Sequence, residues 1–307
     1  MASVKSRLIN FMIRYRHLLQ GKRSKPVFDM QTSIEGFREQ CEKGASKYAS
    51  IAKGVRIESQ VIGGIQSEWH YPEGAPADKV ILYVHGGGYV SGSCNDHRGF
   101  VSKFAQSTGF ITLIYEYRLA PEFPFPAALD DSLFIYRKLL ETGYLPTHIL
   151  VAGESAGGGL CLALLLAIRD NDLQMPAAAI AISPWTDLTC SSESYRTKNS
   201  VSAAPLNSWT VLSRHYAGGQ PYDLPLISPL FGNLTGLPPL FINSGEYDEL
   251  YEDGEKFHLK ALKAGVNSTF RKGTGMLHCY PLLAPMFPEA SEAMKEIVVF
   301  VRKHLGQ

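Results

Sequence analysis

Ser155 is the centre of a Gly-Glu-Ser-Ala-Gly sequence, residues 153–157, that follows a short apolar run and opens an apolar helical pattern. A GxSxG sequence at a tight turn between a strand and a helix exposes the serine hydroxyl, and small neighbours let the backbone approach. The sequence alone is weak evidence, because about one chain in ten of this length contains it by chance. The strand pattern at 148–152 and the helical pattern at 160–168 favour a nucleophilic serine over a glycine-rich structural turn.

Three consecutive glycines follow His85, directly after another apolar run. A serine nucleophile needs a base for its proton and preplaced donors for the oxyanion that its attack creates. Consecutive glycines let a loop direct several N–H groups at one point, so Gly87 and Gly88 are predicted oxyanion donors together with the N–H of Ala156. The alternative is a phosphate-binding loop, but no Gly-Lys-Ser/Thr or Gly-x-Gly-x-x-Gly pattern is present. His85 and Gly86 are expected to orient the loop.

The base should follow the serine and the acid in the chain. The histidines after Ser155 are His215, His258, His278 and His304. His258 and His304 fall in helical patterns, and His215 falls in a polar stretch outside the sheet pattern. His278 follows a Gly-Thr-Gly-Met-Leu loop just beyond the last apolar run. An imidazole there can reach over the carboxyl edge of a sheet, so His278 is the predicted base.

The acid should also follow the end of a strand. Residues 239–245 deliver the chain to a group of four carboxylates. These are Glu246, Asp248, Glu249 and Glu252. Periodicity does not choose among them.

Elements able to position these residues are visible from residue 79 onward, where short apolar runs alternate with helical patterns. The runs are 79–84, 110–115, 148–152, 178–183, 240–243 and 268–272, and the helical patterns are 127–142, 156–170, 250–264 and 288–305. This alternation is typical of an α/β fold with a wound, mostly parallel central sheet flanked by helices. Upstream, residues 55–61 and 65–70 flank two glycines, which predicts an antiparallel hairpin.

Two segments do not fit the alternation, namely the first 45 or so residues and residues 189–222. Both are predicted to be helical and to cover one end of the sheet. Within the first, one apolar series at helical spacing is Leu8, Met12, Tyr15 and Leu19, and another is Ile9 and Ile13. The expected amphipathic helix packs on the protein itself. Basic residues flank its apolar face, so a surface membrane anchor is the alternative.

Charge and cysteine content limit the partners. The chain has 30 Lys and Arg against 29 Asp and Glu, a net charge of +1, which provides no field for gathering nucleic acid or anionic membrane. The expected partner is a small, roughly neutral molecule. Five scattered cysteines without metal-binding spacing predict free thiols in a reducing compartment, hence a cytoplasmic protein without a metal. No stretch of about 18 apolar residues occurs, so no integral membrane segment is expected.

The chain resembles the bacterial hormone-sensitive-lipase-like carboxylesterases of the α/β-hydrolase superfamily. The matching segments, in the family's order, are 85–88, 115–122, 125–128, 153–158, 183–185, 228–230, 237–239 and 245–250. The family places its acid in a G-x-x-D-x-L pattern, which selects Asp248. It places its base in a pattern like G-M-x-H-G-F, which selects His278.

The resemblance implies an α/β-hydrolase fold whose helical cap is formed by residues 1–45 and 189–222, with residues 46–188 and 223–307 as the catalytic core. It also implies short- to medium-chain acyl esters as substrates and no cofactor. Dimers are common in the family, so a homodimer is an open alternative.

Supporting residues are expected around the predicted triad. In the Tyr-Arg-Leu-Ala-Pro-Glu segment, a pair between Arg118 and a carboxylate, with two proline-fixed turns, would lock the loop under the site, so Arg118 and Glu122 are assigned a supporting role. The candidates for the substrate pocket are Tyr89, Trp185, Tyr216 and Leu277. Core packing would explain each of these four equally well.

Three positions depart from the family pattern. Glu154 stands where many members have Asp, and Glu252 stands where the second Asp after the acid is usual. Cys279 and Tyr280 replace the common Gly-Phe after the histidine. The Glu252 change puts the local network around the acid in doubt, but not Asp248 itself.

The predicted function is a serine esterase in which Ser155 attacks an ester carbonyl, His278 takes the proton and Asp248 holds the imidazole. A hydrolase of lactones or amides would share this chemistry. A ligand-binding protein on a hydrolase scaffold is the other alternative. Known receptors on related scaffolds lose a triad member, whereas all three candidates are present here.

Overall fold

The structure is a computed structural model that describes residues 2–19, 21, 23–45 and 50–306. Its strands are β1 (Val55–Ile62), β2 (Ile65–Pro72), β3 (Val80–Val84), β4 (Ile111–Tyr115), β5 (Ile149–Glu154), β6 (Ala178–Ile182), β7 (Leu240–Gly245) and β8 (Ser268–Gly273). They form one sheet in the order β1-β2-β4-β3-β5-β6-β7-β8. β1 and β2 are antiparallel, as are β2 and β4, and all other neighbours are parallel. The predicted hairpin and mostly parallel sheet are therefore confirmed.

The five central strands are apolar because both of their faces are covered. Every residue of β3, β4, β5, β6 and β7 is buried. Successive side chains of a strand point to opposite faces. In β3, Leu82 and Val84 accordingly join the core on one face, while Ile81 and Tyr83 join the core on the other.

Helices cover both faces of the sheet. They are α1 (Val4–Arg14), α2 (Arg16–Leu19), α3 (Ile34–Ala45), α4 (Cys94–Thr108), α5 (Ala127–Glu141), α6 (Ala156–Asp170), α7 (Ser194–Thr197), α8 (Ser208–Ala217), α9 (Tyr251–Lys263) and α10 (Pro288–Leu305). Side chains of α5, α6 and α9 belong to one core, and side chains of α4 and α10 belong to the other. The four helices expected after residue 79 are present, with bounds within one residue of the predicted ones.

Helix α4 is absent from the predicted elements, because its apolar residues are few and, apart from Cys94, confined to residues 100–105. Its first turn carries a signal of a different kind. The Ser93 side chain accepts a hydrogen bond from the Asp96 N–H at 3.1 Å, and the Asp96 carboxylate accepts one from the Ser93 N–H at 2.9 Å. This capping box, a Ser-x-x-Asp sequence, indicates a helix start without any apolar periodicity.

The two segments outside the alternation contain helices and contact each other. Residues 2–45 contain α1, α2 and α3, and residues 189–222 contain α7 and α8. The N–H of Phe28 donates to the Leu206 carbonyl at 2.8 Å, and the N–H of Leu206 donates to the Pro26 carbonyl at 2.9 Å. The expected boundary after residue 45 adjoins residues 46–49, which lie outside the described residues.

Helix α1 packs on the protein through the second of its two apolar series. Ile9 is buried against Tyr280 and Phe287, whereas Leu8 and Met12 are exposed. The Leu19 side chain lies outside the described residues. The expected packing of this helix on the protein is therefore made by Ile9, while Leu8 and Met12 lie on the side that faces away. Among the described helices, none is both long and apolar enough to cross a membrane.

Candidate active site

Ser155 stands at the sharp turn between β5 and α6. Its backbone has φ 57° and ψ −124°, a left-handed conformation that side chains rarely adopt. The turn is held from both sides, because the Ser155 N–H donates to the Ile182 carbonyl at 2.9 Å and its carbonyl accepts from the Trp185 N–H at 3.0 Å. At Gly157 an added Cβ would run into the carbonyls of Val84 and His85, so no larger residue fits.

The glycine loop after β3 lies directly against this turn. An added Cβ at Gly86 would lie 3.1 Å from the Ser155 Cβ. Gly87 has φ 115°, and an added Cβ there would meet the Ser91 carbonyl, so the path of the loop requires glycine. No hydrogen bond within the described part of the chain uses the N–H of Gly87 or Gly88. Ala156 begins α6, where a backbone N–H has no partner inside the helix.

His278 lies in the loop after β8 and is hydrogen-bonded to Asp248, which lies in the loop after β7. The distance from His278 Nδ1 to Asp248 Oδ2 is 2.7 Å. The Asp248 side chain is buried, while about a quarter of the His278 side chain is exposed. Burial by itself would lower the pKa of His278, but the Asp248 carboxylate raises it well above its usual value. An ionised carboxylate can only accept, so Nδ1 carries the proton and Nε2 of the neutral ring is left as an acceptor.

The other carboxylates of this segment have different partners. Glu246 accepts the Gly275 N–H at 2.8 Å and pairs with Lys272. Glu249 accepts the Trp209 indole N–H at 2.9 Å, and Glu252 pairs with Lys256 at 2.9 Å. Of the four carboxylates left open by periodicity, Asp248 is therefore the one hydrogen-bonded to His278. His215, His258 and His304 lie in α8, α9 and α10.

Asp253, the residue after Glu252, makes polar contacts with the segment after β6. Asp253 is fully buried, and its Oδ2 accepts hydrogen bonds from the N–H groups of Thr186 and Asp187 and from the Tyr195 hydroxyl, at 2.9 to 3.0 Å. Burial raises the pKa of Asp253 well above its usual value. Asp253 thus ties the acid loop to the segment after β6.

Glu154, the residue before Ser155, holds the glycine loop. Its Oε1 accepts the Gly86 N–H at 2.6 Å and lies 3.0 Å from His97 Nε2. The other ring nitrogen of His97 is hydrogen-bonded to Asp96. Burial alone would lower the pKa of His97, but Asp96 and Glu154 raise it to about 10, so the ring is cationic at neutral pH. Sequence reasoning missed His97, because no local pattern reports a contact 57 residues away along the chain.

His85 contacts the glycine loop itself. Its Nδ1 lies 2.8 Å from the Gly86 carbonyl, and its ring stacks on Tyr117 with centroids 4.1 Å apart. The Tyr117 hydroxyl donates to the His85 carbonyl at 2.8 Å. Burial lowers the pKa of His85 to about 4, which keeps the ring neutral.

Arg118 and Glu122 form two separate ion pairs. Arg118 binds Asp131 of α5, with its Nη2 2.8 Å from Oδ1. Glu122 binds Arg38 of α3 through both oxygens, at 2.7 and 2.9 Å, and this pairing lowers the pKa of Glu122. Arg38 also donates to the Val90 and Ala120 carbonyls. The predicted lock on this loop is thus built by two partners, Asp131 and Arg38, that sequence spacing does not reveal.

The four pocket candidates are buried, and three of them form one aromatic group. Tyr89 stacks on Tyr216 with centroids 3.7 Å apart and lies 5.8 Å from the Trp185 ring. The backbone of Leu277 lies against Gly245 at the end of β7. Burial fits the core-packing alternative, and the place of these four residues in a substrate pocket stays a prediction.

Helix α8 contributes two side chains that sequence analysis did not single out. The Trp209 ring lies 5.8 Å from the His278 ring in an edge-to-face arrangement. Leu212 covers Gly88, since an added Cβ on this glycine would lie 2.6 Å from Leu212 Cδ1. A bulky apolar residue in a helical stretch gives no local sign that its side chain reaches a loop on another element.

Comparison with known proteins agrees with this architecture. Residues 81–282 match the family described as the alpha/beta hydrolase fold. An acetyl-hydrolase of Streptomyces hygroscopicus is 39% identical over 250 residues, which cover 80% of this chain and 82% of that protein. The crystal structure of EstE5 soaked with p-nitrophenyl butyrate aligns over the whole of both chains, with 37% identity and a TM-score of 0.91. An esterase from the bacterial hormone-sensitive lipase family also aligns over the whole of both chains, with 34% identity and a TM-score of 0.90.

The sheet order and the loops at its carboxyl edge thus define a hydrolase of the α/β-hydrolase fold. Within that class, the chain belongs to the bacterial hormone-sensitive-lipase-like family that its sequence resembles.

The ion pairs of His97 lead to a pH-dependent stability. The pKa of His97 is raised in the folded protein to about 10 from an ordinary value of 6.5. The stabilisation is therefore complete below pH 6.5 and is lost as the pH rises through about 10. We expect His97→Gln to lower the free energy of unfolding by about 3 kcal/mol at neutral pH, since it leaves two buried carboxylates without their cationic partner, and to remove this pH dependence.

Urea unfolding of both proteins at several pH values measures the difference. Ser107→Ala, at an exposed position on the same helix as His97, is the control and should keep the wild-type slope, because a serine carries no charge. Equal pH slopes for the wild-type protein and His97→Gln would contradict the expectation.

Proposed function

We propose that this protein is a serine carboxylesterase in which Ser155 is the nucleophile, His278 the general base and Asp248 the residue that orients the base. The observation that carries the proposal is the 2.7 Å hydrogen bond between His278 and Asp248. It lies at the same edge of the sheet as the strained turn of Ser155, because parallel strands present their carboxyl ends on one side.

In acylation, the Ser155 hydroxyl attacks the ester carbonyl while His278 Nε2 takes its proton. A bond forms between Ser155 Oγ and the carbonyl carbon, and the carbonyl oxygen becomes an oxyanion. The cationic imidazole then protonates the alkoxy group, which leaves as an alcohol. Asp248 keeps the Nδ1 proton in place and stabilises the cationic ring while the intermediate exists.

The oxyanion is stabilised by the N–H groups of Gly87, Gly88 and Ala156. Support comes from the free N–H groups of the two glycines and from the proximity of Gly86 to Ser155. Donors fixed before the reaction begins need no reorganisation when charge develops, and each is worth about 3 to 4 kcal/mol. The contact from Glu154 to Gly86 and the stacked ring of His85 hold the loop in this form.

Deacylation repeats the same steps with water as the nucleophile. His278 takes a proton from water as it attacks the acyl carbon, and then returns the proton to Ser155 Oγ as the acyl bond breaks. The acid leaves and the enzyme is restored.

The helices of residues 1–45 and 189–222 form the cap over this edge in our proposal, and residues 46–188 and 223–307 form the core. Leu212 on Gly88 and Trp209 beside His278 support a cap in contact with the site. Such apolar contacts favour small acyl groups. The names of two relatives support this choice, since one is an acetyl-hydrolase and EstE5 crystals were soaked with a butyrate ester. Short- to medium-chain acyl esters are therefore the proposed substrates.

Ser155→Ala tests the nucleophile. Removing the hydroxyl leaves the oxyanion donors without a reacting partner, so kcat for p-nitrophenyl butyrate should fall about a million-fold. The matched control is Ser107→Ala, an exposed serine on α4, which should keep full activity. Substantial hydrolysis by a Ser155→Ala protein with native circular dichroism would rule out this nucleophile.

The acid is tested with Asp248→Asn, Glu246→Gln and Glu249→Gln. Loss of the Asp248 charge should lower kcat about ten-thousand-fold, because the imidazole loses its tautomer and its stabilisation. It should also move the acidic limb of kcat/KM to lower pH, since Asp248 raises the pKa of His278 and the base works when deprotonated. Glu246→Gln and Glu249→Gln should have smaller effects on kcat and leave the acidic limb of the kcat/KM profile at the wild-type pH. A larger loss of kcat in Glu246→Gln or Glu249→Gln than in Asp248→Asn would assign the acid to that glutamate instead.

The acyl-length limit is tested by shortening Leu212. Leu212→Ala removes the side chain over Gly88, so kcat/KM for p-nitrophenyl octanoate relative to the butyrate ester should rise about tenfold. Thr210→Ala, an exposed position on the same helix, is the control. An unchanged ratio would show that Leu212 does not limit the acyl group. The same assay with one lactone and one amide tests the bond that is cleaved.

A further inference from the structure

Helix α1 carries an apolar face that points away from the protein. The exposed fractions are 74% for Val4, 58% for Leu8 and 58% for Phe11. These residues follow one another at intervals of four and three, so they lie on one side of the helix. Met12, at the margin of the same side, is 44% exposed. Single exposed apolar residues are ordinary, but a continuous row on one helix indicates a surface for a partner.

The opposite side of α1 is fixed to the rest of the protein, so the exposed row belongs to a helix that is packed in place. Ile9 is buried, and the Ser3 hydroxyl donates to Glu289 of α10 at 2.9 Å. The Asn10 side chain donates to the Gly275 carbonyl at 2.7 Å. Gly275 lies three residues before His278, so the helix is joined to the loop that carries the proposed base.

The first 28 residues of the chain include basic residues but no acidic ones. Residues 1–28 contain seven of the 30 Lys and Arg and none of the 29 Asp and Glu, so the remaining residues hold 23 basic against 29 acidic groups. The net charge of +1 hides this separation. On α1, the exposed side chains of Lys5 and Arg7 lie on either side of the apolar row. An apolar row flanked by basic residues is the pattern of helices that lie in a lipid headgroup region.

We propose that α1 docks this protein on an anionic lipid surface, with Val4, Leu8 and Phe11 entering the headgroup region and Lys5 and Arg7 contacting lipid phosphates. A second copy of the chain fits this face less well. A twofold contact pairs the same patch with itself and would bring the basic flanks of both copies together. Anionic lipid, in contrast, complements both the apolar row and the charge.

Docking through α1 would bring the His278 loop close to the lipid surface, where apolar esters concentrate. The binding itself needs no hydrolysis. Its failure would therefore leave the proposed reaction untouched, and loss of the reaction would leave the docking untouched.

Flotation of the full chain with lipid vesicles tests the proposal. Protein should float with phosphatidylcholine vesicles that contain about 30% phosphatidylglycerol and remain behind with phosphatidylcholine alone. Raising NaCl from about 0.1 M to about 0.5 M should weaken the binding, because salt screens the basic residues. Lys5→Gln with Arg7→Gln should weaken it about 25-fold, since each basic residue near an anionic surface contributes about fivefold.

The apolar row is tested with the double variant Leu8→Asn and Phe11→Asn, which should weaken binding at least about tenfold. The matched controls are Leu259→Asn with Val299→Asn, whose side chains are 51% and 66% exposed, and Lys263→Gln with Lys295→Gln. Thermal melts establish whether each variant is folded. If the Leu8→Asn, Phe11→Asn protein does not fold, the Lys5→Gln, Arg7→Gln protein still tests the proposal.

Three outcomes would overturn the proposal. The wild-type protein fails to float with anionic vesicles, the controls lose binding as much as the α1 variants, or vesicles without phosphatidylglycerol bind equally well. A wild-type dimer that becomes a monomer in the Leu8→Asn, Phe11→Asn protein, without vesicle binding, would instead identify the face as an interface between two copies.

Discussion

The left-handed backbone of Ser155 is the constraint on which the candidate site depends. A serine with φ 57° is stable only when the chain on both sides is held, and here β5 and α6 supply that hold through buried apolar residues. The carbonyl of Ile182, at the end of β6, and the N–H of Trp185, in the segment that follows it, fix the turn. Close approach of the glycine loop then follows, because Gly86 and Gly157 leave room for backbone against backbone. The sheet is thus a rigid frame for one strained residue.

Buried charge organises the loops around that turn. Glu154 has one more methylene than the aspartate usual at its position, and its carboxylate reaches both the Gly86 N–H and the ring of His97. Asp96 caps α4 and also contacts His97, so the helix, the turn at Ser155 and the glycine loop share one polar cluster. A buried carboxylate without such partners would be costly. The cluster therefore connects the glycine loop to the first turn of α4.

The N-terminal segment is connected to the rest of the protein by specific polar contacts as well as by apolar packing. Arg38 joins α3 to the loop after β4 through Glu122, and Asn10 joins α1 to the loop after β8. Val27 and Leu206 bring the N-terminal segment against residues 189–222. A change in the position of these helices would be transmitted to loops at the carboxyl edge, which is where Ser155 and His278 lie.

The sequence by itself determined the elements whose signals are local. Apolar runs of four to six residues predict the central strands, and the strand and helix patterns on either side of Ser155 predict the tight turn at this residue. Family resemblance selected Asp248, whereas periodicity left four carboxylates open. Only the tertiary structure decided which carboxylate meets His278, that Arg118 pairs with Asp131, that Arg38 holds Glu122 and that His97 supports Glu154. The physical reason is sequence separation. Secondary structure follows from neighbours along the chain, but a side-chain pair separated along the sequence forms only where packing of helices and loops on the sheet brings its two elements together.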